Sequence, residues 1–489
     1  MPILWRRRPR RCSWREPTAM QSDRGSAVDH TRRGLIGGIL PAGLGAGIAA
    51  AAWPGYGEAS PGPQSSGLAV DVTAFGAVGD GESPCADGFQ AAIDEVEARG
   101  GGIVQVPAGV FVLEKTPLIG SRVHLRGVGA ASVLRGRRPP GDEGAALISN
   151  KGQQARGYEG AHDWSISHFA IDSPQTNGIV VTHAARVYIG FILGIEVFHH
   201  FVDTAGRDIL CEHLWLTGHS GTSSFQIDSL SGAQTIWDGE RAVPPHYDGT
   251  DSRDVILRSS IITATAGSQG DRPRHDSSIH FHGDDTAGFL FSDLILGGAA
   301  IGVYQDAGTR YDDIQISNVR SHNPVAALRL NAGRTDQRGL MVRGFTHVPP
   351  AVPEDGYRGL EIAGRRQVIL ADIQLQAPAT SARHAVHLAG CREVRIHGLQ
   401  ASAAGGTGVV ISDHPPEGVD VPEAAARASA GASSRQILLE STLFSGFAVG
   451  CELRDAAPTG VQARGNLFDQ VAIPYRGPIV HDLQAEIGD

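Results

Sequence analysis

Two histidines alternate with core-type residues in the segment Ile279-His280-Phe281-His282, and they are the side chains of this sequence best suited to acid–base chemistry. Imidazole changes its charge near neutral pH, so His280 can act as an acid or a base while His282 contacts a substrate. Two histidines at positions i and i+2 share one face of a strand and can also bind a metal ion, but the spacing supplies no third ligand. We therefore favour catalysis and substrate contact over a metal site.

Three aspartates supply candidate carboxyl groups: Asp248, Asp276 and Asp306. Hydrolysis of a glycosidic bond needs two carboxyl groups that flank the bond, one protonated and one ionised. The alternative role for these aspartates is to stabilise turns, since Asp248 precedes a glycine and Asp276 precedes a serine. The sequence predicts that at least two of the three act as the acid and its partner.

A further group of side chains is suited to holding a sugar. Arginine can neutralise the carboxylate of a uronic acid, tyrosine can carry a proton, and an aromatic ring can stack on a sugar face. The alternatives are a hydrogen-bonded surface ladder for Tyr304 and Arg329, and loop packing for Trp237. The predicted substrate-binding residues are Asp228, Asp251, His282, Tyr304, Arg329, Glu361 and Trp237.

The segment from residue 279 to residue 455 repeats one pattern: a short strand, a turn of small residues and a second apolar strand. The second strands begin 25, 26, 28 and 26 residues apart, at Phe289, Ile314, Leu340, Val368 and Val394. A fixed period of this size is typical of stacked coils, and strand-rich units of this length fit a parallel β-helix.

Alternation within the first strand of each repeat decides which side chains meet. It sends Phe281, Leu330 and Ile362 inward and the intervening residues outward. Parallel stacking then places the outward residues of successive coils about 4.8 Å apart, in one column on a solvent-facing sheet. The column is predicted to begin near Gln226 and to contain His280, His282, Tyr304, Asp306, Arg329, Asn331, Glu361 and His387.

Residues 1–60 are predicted to be an export signal and linker. Arg32 and Arg33 come directly before a weakly apolar stretch rich in glycine and alanine, Leu35 to Trp53, which is typical of a twin-arginine signal. A membrane helix is the alternative, but the glycines and Pro41 do not favour it. The sequence therefore predicts a secreted protein with one domain over residues 61–489 and no membrane association after removal of the signal.

The remainder of the chain carries 33 basic and 48 acidic residues. An acidic body of this kind does not favour nucleic acid or an anionic membrane as a partner. The four cysteines beyond the signal include no closely spaced pair, which argues against a zinc site. No cofactor is predicted; a structural or catalytic calcium ion and the oligomeric state are left open.

The region after the linker resembles the beginning of a known superfamily. Phe75–Gly81 is followed by a helical spacing of apolar residues over about 87–99, by three consecutive glycines and by a strand and turn, Ile103–Gly109. This succession is similar to the entry of the pectate-lyase-like superfamily, which includes polygalacturonase-type glycoside hydrolases, several lyases and phage tailspikes. The resemblance implies an all-β fold, a single-stranded right-handed parallel β-helix, whose open N-terminal end the helix caps.

The same resemblance points to a reaction on a carbohydrate, since Asp248 and Asp251 match two positions of a polygalacturonase motif. We predict extracellular processing of a polysaccharide or oligosaccharide, with hydrolysis by paired carboxyl groups as the first hypothesis. One alternative is β-elimination or epimerisation of a uronic-acid polymer, with an arginine, histidine or tyrosine of the column as the base. Another is a glycan-binding coil without activity, since a fold does not determine a function.

Overall fold

The computed structural model describes most of the chain beyond the linker. The predicted export signal, residues 1–60, lies outside the described residues. The described ranges are 69–139, 144–219, 221–232, 234–266, 276–283, 286–306, 309–331, 337–350, 356–377, 382–414, 433–454 and 458–481.

The described chain is almost entirely β-structure. The strands that come before the regular coils are β1 Ala69–Asp71, β2 Asp80–Pro84, β3 Gly102–Gln105, β4 Gly109–Leu113, β5 Leu118–Ile119, β6 Val123–Arg126, β7 Ser132–Gly136 and β8 Ala146–Asn150. The strands of the coils are β9 His162–Ser173, β10 Asn177–Val197, β11 Val202–His219, β12 Ser223–Ile227, β13 Ile236–Trp237, β14 Ala242–Val243, β15 Arg253–Ala266, β16 Ser277–Phe281, β17 Thr286–Leu296, β18 Ile301–Gln305, β19 Tyr311–Ser321, β20 Ala326–Asn331, β21 Gln337–His347, β22 Tyr357–Ala363, β23 Arg365–Gln376, β24 Ala382–Ala389, β25 Arg392–His397, β26 Gln400–Ser402, β27 Thr407–Ser412, β28 Arg435–Glu440, β29 Leu443–Ser445, β30 Val449–Leu453, β31 Thr459–Arg464, β32 Leu467–Asp469, β33 Ile473–Arg476 and β34 Val480–His481.

Strands of successive coils pair in parallel. β16 pairs with β12 and β18, and β19 pairs with β17 and β21, whereas the short hairpin of β13 and β14 is antiparallel. The predicted period is confirmed, because the starting residues of the predicted second strands are register partners from coil to coil: Phe289, Ile314, Leu340, Val368 and Val394.

Each regular coil bends at two residues in the left-handed region of backbone space, five positions apart. In β17 they are Gly288, with a φ of 86°, and Asp293, with a φ of 56°; β19 repeats the pair at Asp313 and Asn318. The same pair of bends occurs in eleven of the described coils. Glycine, aspartate and asparagine tolerate this conformation best, which explains why these residue types punctuate the apolar repeats.

We expect Gln367→Gly to leave the stability unchanged or to raise it by up to about 1 kcal/mol. Gln367 has a φ of 59°, and this conformation costs an L-residue about 1 kcal/mol or more. The control Ile369→Gly lies two residues along the same strand, outside the bend, and should destabilise by about 1 kcal/mol. Chemical denaturation measures both variants, and an equal loss of stability in the two would contradict the assigned bends.

The interior of the coils is one continuous apolar core. Phe281, Leu330 and Ile362, which the sequence predicts to point inward, are fully buried in it. The ring of Phe281 lies 5.1 Å from that of Phe289 and 4.5 Å from that of Tyr311, centroid to centroid. The predicted alternation of inward and outward residues is therefore confirmed for these strands.

One α-helix, α1, extends from Ala86 to Ala98 near the beginning of the described chain. Its apolar face buries Phe89, Ala92 and Ile93 against β1, β3, β5, β6 and a short 3-10 helix, Val72–Phe75. The helix lies where the sequence predicts one, and its role as a cap on the coils stays a prediction. Within the described ranges, no helix is long and apolar enough to cross a membrane.

Candidate functional site

Seven polar side chains lie in register on adjacent coils of one sheet. The strands β11, β12, β16, β18, β20, β22 and β24 pair in parallel, and the register aligns one residue of each strand with one of the next. Most neighbours of these residues along the strands belong to the core, so alternation directs the aligned residues away from it. We call this set the polar column: Asp203, Gln226, His280, Tyr304, Arg329, Glu361 and His387.

The polar column is buried, whereas the sequence predicts that it faces solvent. His280 is 4% exposed, Arg329 is 7% exposed and Glu361 is completely covered. This part of the prediction is wrong because alternation identifies the side of a strand but not what lies over that side. Charged groups that leave water must be paired or must change their pKa. The burial therefore creates conditions for acid–base chemistry that an exposed ladder lacks.

His282 lies beside the column between two carboxyl groups. Its Nδ1 is 3.1 Å from Oδ1 of Asp228, and its Nε2 is 3.7 Å from Oδ2 of Asp306. The hydrogen bond to Asp228 outweighs the effect of burial and, with the charges of Asp306 and Asp203, raises the pKa of His282 to about 9. His282 is therefore protonated at neutral pH. Its side chain is 40% exposed and that of Asp306 is 27% exposed, so a ligand can reach both.

Asp228 is the group that holds His282. It is 1% exposed, and its oxygens accept hydrogen bonds from the side-chain amides of Gln226 and Gln234 and from the backbone amide of Ser229. A carboxylate with this many donors is fixed in place and orients the imidazole that it contacts. Its predicted contact with a substrate stays a prediction.

Asp203 is a member of the column that sequence reasoning missed. It is 3% exposed, and its Oδ1 has no hydrogen-bond partner among the described residues. Burial, and after it the charge of Asp228, raise the pKa of Asp203 well above its ordinary value. Burial thus favours the protonated form of this carboxyl group. The available signal was an isolated aspartate in the apolar run from Phe201 to Ala205, whose neighbours in space only the register reveals.

His280 and Tyr304 adjoin this accessible pair. Nε2 of His280 lies 3.2 Å from Oδ1 of Asp306, but without the alignment of a hydrogen bond, and in the part of the chain that the structure describes both ring nitrogens lack a hydrogen-bond partner. The ring of Tyr304 is 5.2 Å from that of His280. Buried polar atoms without partners are uncommon in folded proteins. They make His280 a candidate for acid–base work next to Asp306.

Arg329 and Glu361 form a buried ion pair further along the column. Nε of Arg329 is 2.6 Å from Oε2 of Glu361, and Nε2 of His384 is 3.1 Å from its Oε1. Burial acts to raise the pKa of Glu361, but His384, Arg329 and Arg358 hold it well below its ordinary value. Arg329 is thus ion-paired with Glu361. Its predicted contact with the carboxylate of a uronic acid would require this ion pair to separate.

Asp276 belongs to a separate hydrogen-bonded chain. Its Oδ1 lies 3.1 Å from Nε2 of His219, whose Nδ1 lies 3.1 Å from Oγ of Ser224, and its Oδ2 accepts a hydrogen bond from the amide of Ala300. His219 and Ser224 are buried. The carboxyl group is fixed by these contacts, and its predicted catalytic role stays a prediction.

Asp248, Asp251 and Trp237 each have a local structural role. Asp248 is exposed, and hydrogen bonds from Thr250 and from the Gly157 amide outweigh its partial burial and lower its pKa to about 2. Asp251 lies in an isolated β-bridge, and Trp237 is 3% exposed in the hairpin of β13 and β14. Turn formation and packing, the alternatives that the sequence leaves open, account for these positions; sugar contacts by them stay predictions.

The residues that the structure brings together are named here the acid–base cluster: His280, His282, Tyr304, Asp306, Asp203 and Asp228. Three of them were proposed as catalytic or proton-carrying groups from sequence, and Asp203 is the addition. Among the described residues, no three histidine, cysteine or carboxylate side chains are arranged to hold a metal ion. The cluster can donate and accept protons at positions open to a ligand.

Several solved structures resemble most of this chain. The A-module of a mannuronan C-5 epimerase from Azotobacter vinelandii has a TM-score of 0.50 at 13% identity and covers 86% of this chain and 99% of its own. A surface adhesin of Streptococcus pneumoniae has a TM-score of 0.52 at 13% identity, covering 84% of this chain and 93% of its own. A tailspike protein of bacteriophage CBA120 has a TM-score of 0.51 at 10% identity, covering 86% and 61%.

The chain shares the parallel β-helix fold of these structures. The parallel β-helix that the entry motif implies is thus confirmed. No family model matches the sequence. Alginate lyase 7 of Azotobacter vinelandii is 33% identical over 134 residues, which make up 26% of this chain and 15% of that protein. The matched stretch is therefore a small part of that relative.

Proposed function

We propose that this protein is a secreted carbohydrate-active enzyme that removes the C5 proton of a uronic acid in an acidic polysaccharide, leading to β-elimination or epimerisation. The observation that carries the proposal is the accessible pair of His282 and Asp306. His282 supplies a protonated imidazole, and Asp306 supplies a carboxyl group. Removal of a proton next to a carboxylate needs a base and a positive charge that stabilises the anion formed. The pair has both properties.

In this mechanism the carboxylate of the sugar lies against the protonated ring of His282. Asp306, whose Oδ2 is 3.7 Å from Nε2 of that ring, accepts the C5 proton. His280 positions the carboxyl group of Asp306 from 3.2 Å. Elimination then needs a proton for the leaving oxygen at C4, and epimerisation needs one at C5 from the opposite face. Tyr304, beside His280, is the proposed donor in either case.

The similar proteins support this choice of reaction. One is an alginate lyase and another a mannuronan C-5 epimerase. The surface adhesin and the tailspike among the similar structures support a location outside the cell. The twin-arginine segment at residues 32 and 33 is the proposed export signal.

Hydrolysis by paired carboxyl groups is the second candidate. One observation favours it: burial and the charge of Asp228 raise the pKa of Asp203, and a glycosidase uses one carboxyl group with a raised pKa beside an ionised one. Both groups are almost completely buried, at 3% and 1% exposure. A glycosidic bond therefore has little access to them. Of the carboxyl groups in the acid–base cluster, Asp306 is the most open to a ligand, which favours proton abstraction.

The products of a polysaccharide panel test the proposed reaction. Elimination gives an unsaturated product with ultraviolet absorbance, and epimerisation changes the ratio of C5 epimers in the polymer without new chain ends. Either result on an acidic polysaccharide supports the proposal. New reducing ends without absorbance would support hydrolysis, and glycan binding without turnover would support a non-catalytic coil; both contradict it.

We expect Asp306→Asn to lower turnover by about 10²-fold or more, because the amide keeps the shape but cannot act as the base. Asp248→Asn is the matched control. Its carboxyl group is exposed in a turn bonded to Thr250, and turnover should change by no more than a few-fold. Initial rates at saturating substrate compare the two. Equal losses would contradict the placement of the reaction at Asp306.

A further inference from the structure

Arginines occupy one register position on four successive coils of the sheet next to the polar column. The strands β21, β23, β25 and β28 pair in parallel, and their aligned residues are the arginine ladder: Arg338, Arg366, Arg392 and Arg435. Successive coils are about 4.8 Å apart, so the ladder presents one guanidinium per coil along the axis. Three of the four are exposed and Arg392 is partly exposed.

Most exposed arginines elsewhere on the coils have a carboxylate partner. Arg258, for example, lies 2.7 Å from Glu212 on the neighbouring coil. The ladder differs, because the described residues place no carboxylate within ion-pair distance of three of its members. These three are Arg366, Arg392 and Arg435.

The surroundings of the ladder contain a few acids and further arginines. Asp312 lies 3.7 Å from Arg338 and 2.8 Å from Arg310, and Glu393 follows Arg392 at the bend of its coil. A surface cleft of about 300 Å³ adjoins the first rung and is lined by Arg253, Arg310, Asp312, Asp313 and Arg338. The strip carries more cations than carboxylates, on a chain whose formal net charge is −10.

A row of like charges at this spacing is self-repelling unless an anion lies along it. Guanidinium groups form paired hydrogen bonds with carboxylates, which gives them a geometric preference for such anions over a diffuse cloud of ions. The complementary ligand is therefore a linear polyanion with carboxylates at regular intervals. A (1→4)-linked polymer of a uronic acid carries one carboxylate per sugar, and one sugar is about as long as one coil is high.

We propose that the arginine ladder is a binding site for an acidic polysaccharide, which lies parallel to the axis of the coils with successive carboxylates on successive rungs. The proposal rests on the proposed function for the class of polymer. Arg366 follows Glu361 of the polar column by five residues, which span at most about 18 Å of extended chain. A polymer on the ladder is therefore held close to the sheet that contains the acid–base cluster.

The test compares two triple variants that remove the same charge. The ladder variant is Arg366→Gln, Arg392→Gln and Arg435→Gln. The control is Arg126→Gln, Arg320→Gln and Arg464→Gln, three exposed arginines at scattered positions. Equilibrium binding of each full-length protein to polygalacturonate is measured over a range of salt concentrations. We expect the ladder variant to bind about tenfold or more weakly at low salt, and to lose salt dependence, while the control binds nearly as wild type.

Equal binding by the ladder variant and the wild type, or an equal loss in the control, would overturn the proposal. Tighter ladder-dependent binding of single-stranded DNA than of polygalacturonate would overturn the assignment to an acidic sugar. Turnover is measured separately, by product absorbance and epimer ratio. If binding depends on the ladder but no turnover is detected, the ladder is a binding site and the proposed function is wrong. If turnover is detected but the ladder variant binds as tightly as the wild type, the proposed function stands and the ladder proposal is wrong.

Discussion

Replacement of His282 by glutamine should reduce turnover of an acidic polysaccharide by about 10²- to 10⁴-fold while the protein stays folded. Glutamine keeps a hydrogen-bonding group near Asp228 but carries no charge. The anion that forms when the C5 proton leaves is then not stabilised by the imidazolium ring of residue 282. The negative charge of the sugar carboxylate also lies near Asp306 without a cation between them. Because the interaction strengthens in the transition state, the loss should fall mainly on kcat.

The pH dependence gives a second readout of the same residue. The pKa of His282 is raised from 6.5 to about 9, so the cation is present below that pH and disappears as the pH rises through about 9. Wild-type activity should therefore fall as the pH rises through about 9. The contribution of this charge to folding stability has the same sign: it is complete below pH 6.5 and is lost as the pH rises through about 9.

The control for this prediction is His213→Gln. His213 stacks on Phe191, with ring centroids 4.5 Å apart, and contacts none of the acid–base cluster in the described structure. Its replacement should leave both the rate and the alkaline limb of the pH profile unchanged. An unaltered rate in the His282 variant, or an equal change in both variants, would contradict the assigned role.

Glu361→Gln should destabilise the protein by about 3–5 kcal/mol, since removal of one member of a buried ion pair leaves the other charge uncompensated. Arg329 and Arg358 are 7% and 5% exposed, and Glu361 is the carboxylate that both contact. The amide preserves the shape, so the loss reflects charge rather than packing. Denaturant titration followed by circular dichroism measures the free energy of unfolding.

The matched control is Glu440→Gln, which breaks the more exposed pair with Arg395 on another sheet and should cost no more than about 1 kcal/mol. The pH dependence of the wild type adds a check. The pKa of Glu361 lies well below its ordinary value of 4.5, so its stabilising contribution is complete above pH 4.5 and is lost only as the pH falls through the lowered pKa. Similar small losses in the two variants would show that Glu361 is not an anchor of the column.

The fold is predictable from the sequence because its signals are local and repeated. Alternation places Phe281 and Leu330 in the core without knowledge of any distant residue, and the period then sets the register that aligns His280, Tyr304 and Arg329. The bends add a signal that was available in the spacing of glycine, aspartate and asparagine. Each of these features repeats from coil to coil, so an error in one coil is corrected by the next.

The site is less predictable because its chemistry depends on contacts between distant parts of the chain. The charge of His282 depends on Asp228, 54 residues earlier in the chain, and the raised pKa of Asp203 depends on burial that alternation does not reveal. Asp248 and Asp276 lie near the right strands in sequence, but hydrogen bonds to Thr250 and His219 hold them in other surroundings. The sequence thus predicts which coils contain the site. The residues that form the site are identified only from the strand register and the burial of the side chains.

Release of an isotope from C5 is the sharpest test of proton abstraction at that carbon. The substrate is an acidic polysaccharide that carries deuterium at C5 of its uronic acids, incubated with the wild-type protein in ordinary water. We expect the label to pass into the solvent in proportion to turnover, through either elimination or epimerisation, and we expect Asp306→Asn and His282→Gln to suppress its release. New chain ends with the C5 label retained in the product would instead identify the reaction as hydrolysis and rule out proton abstraction.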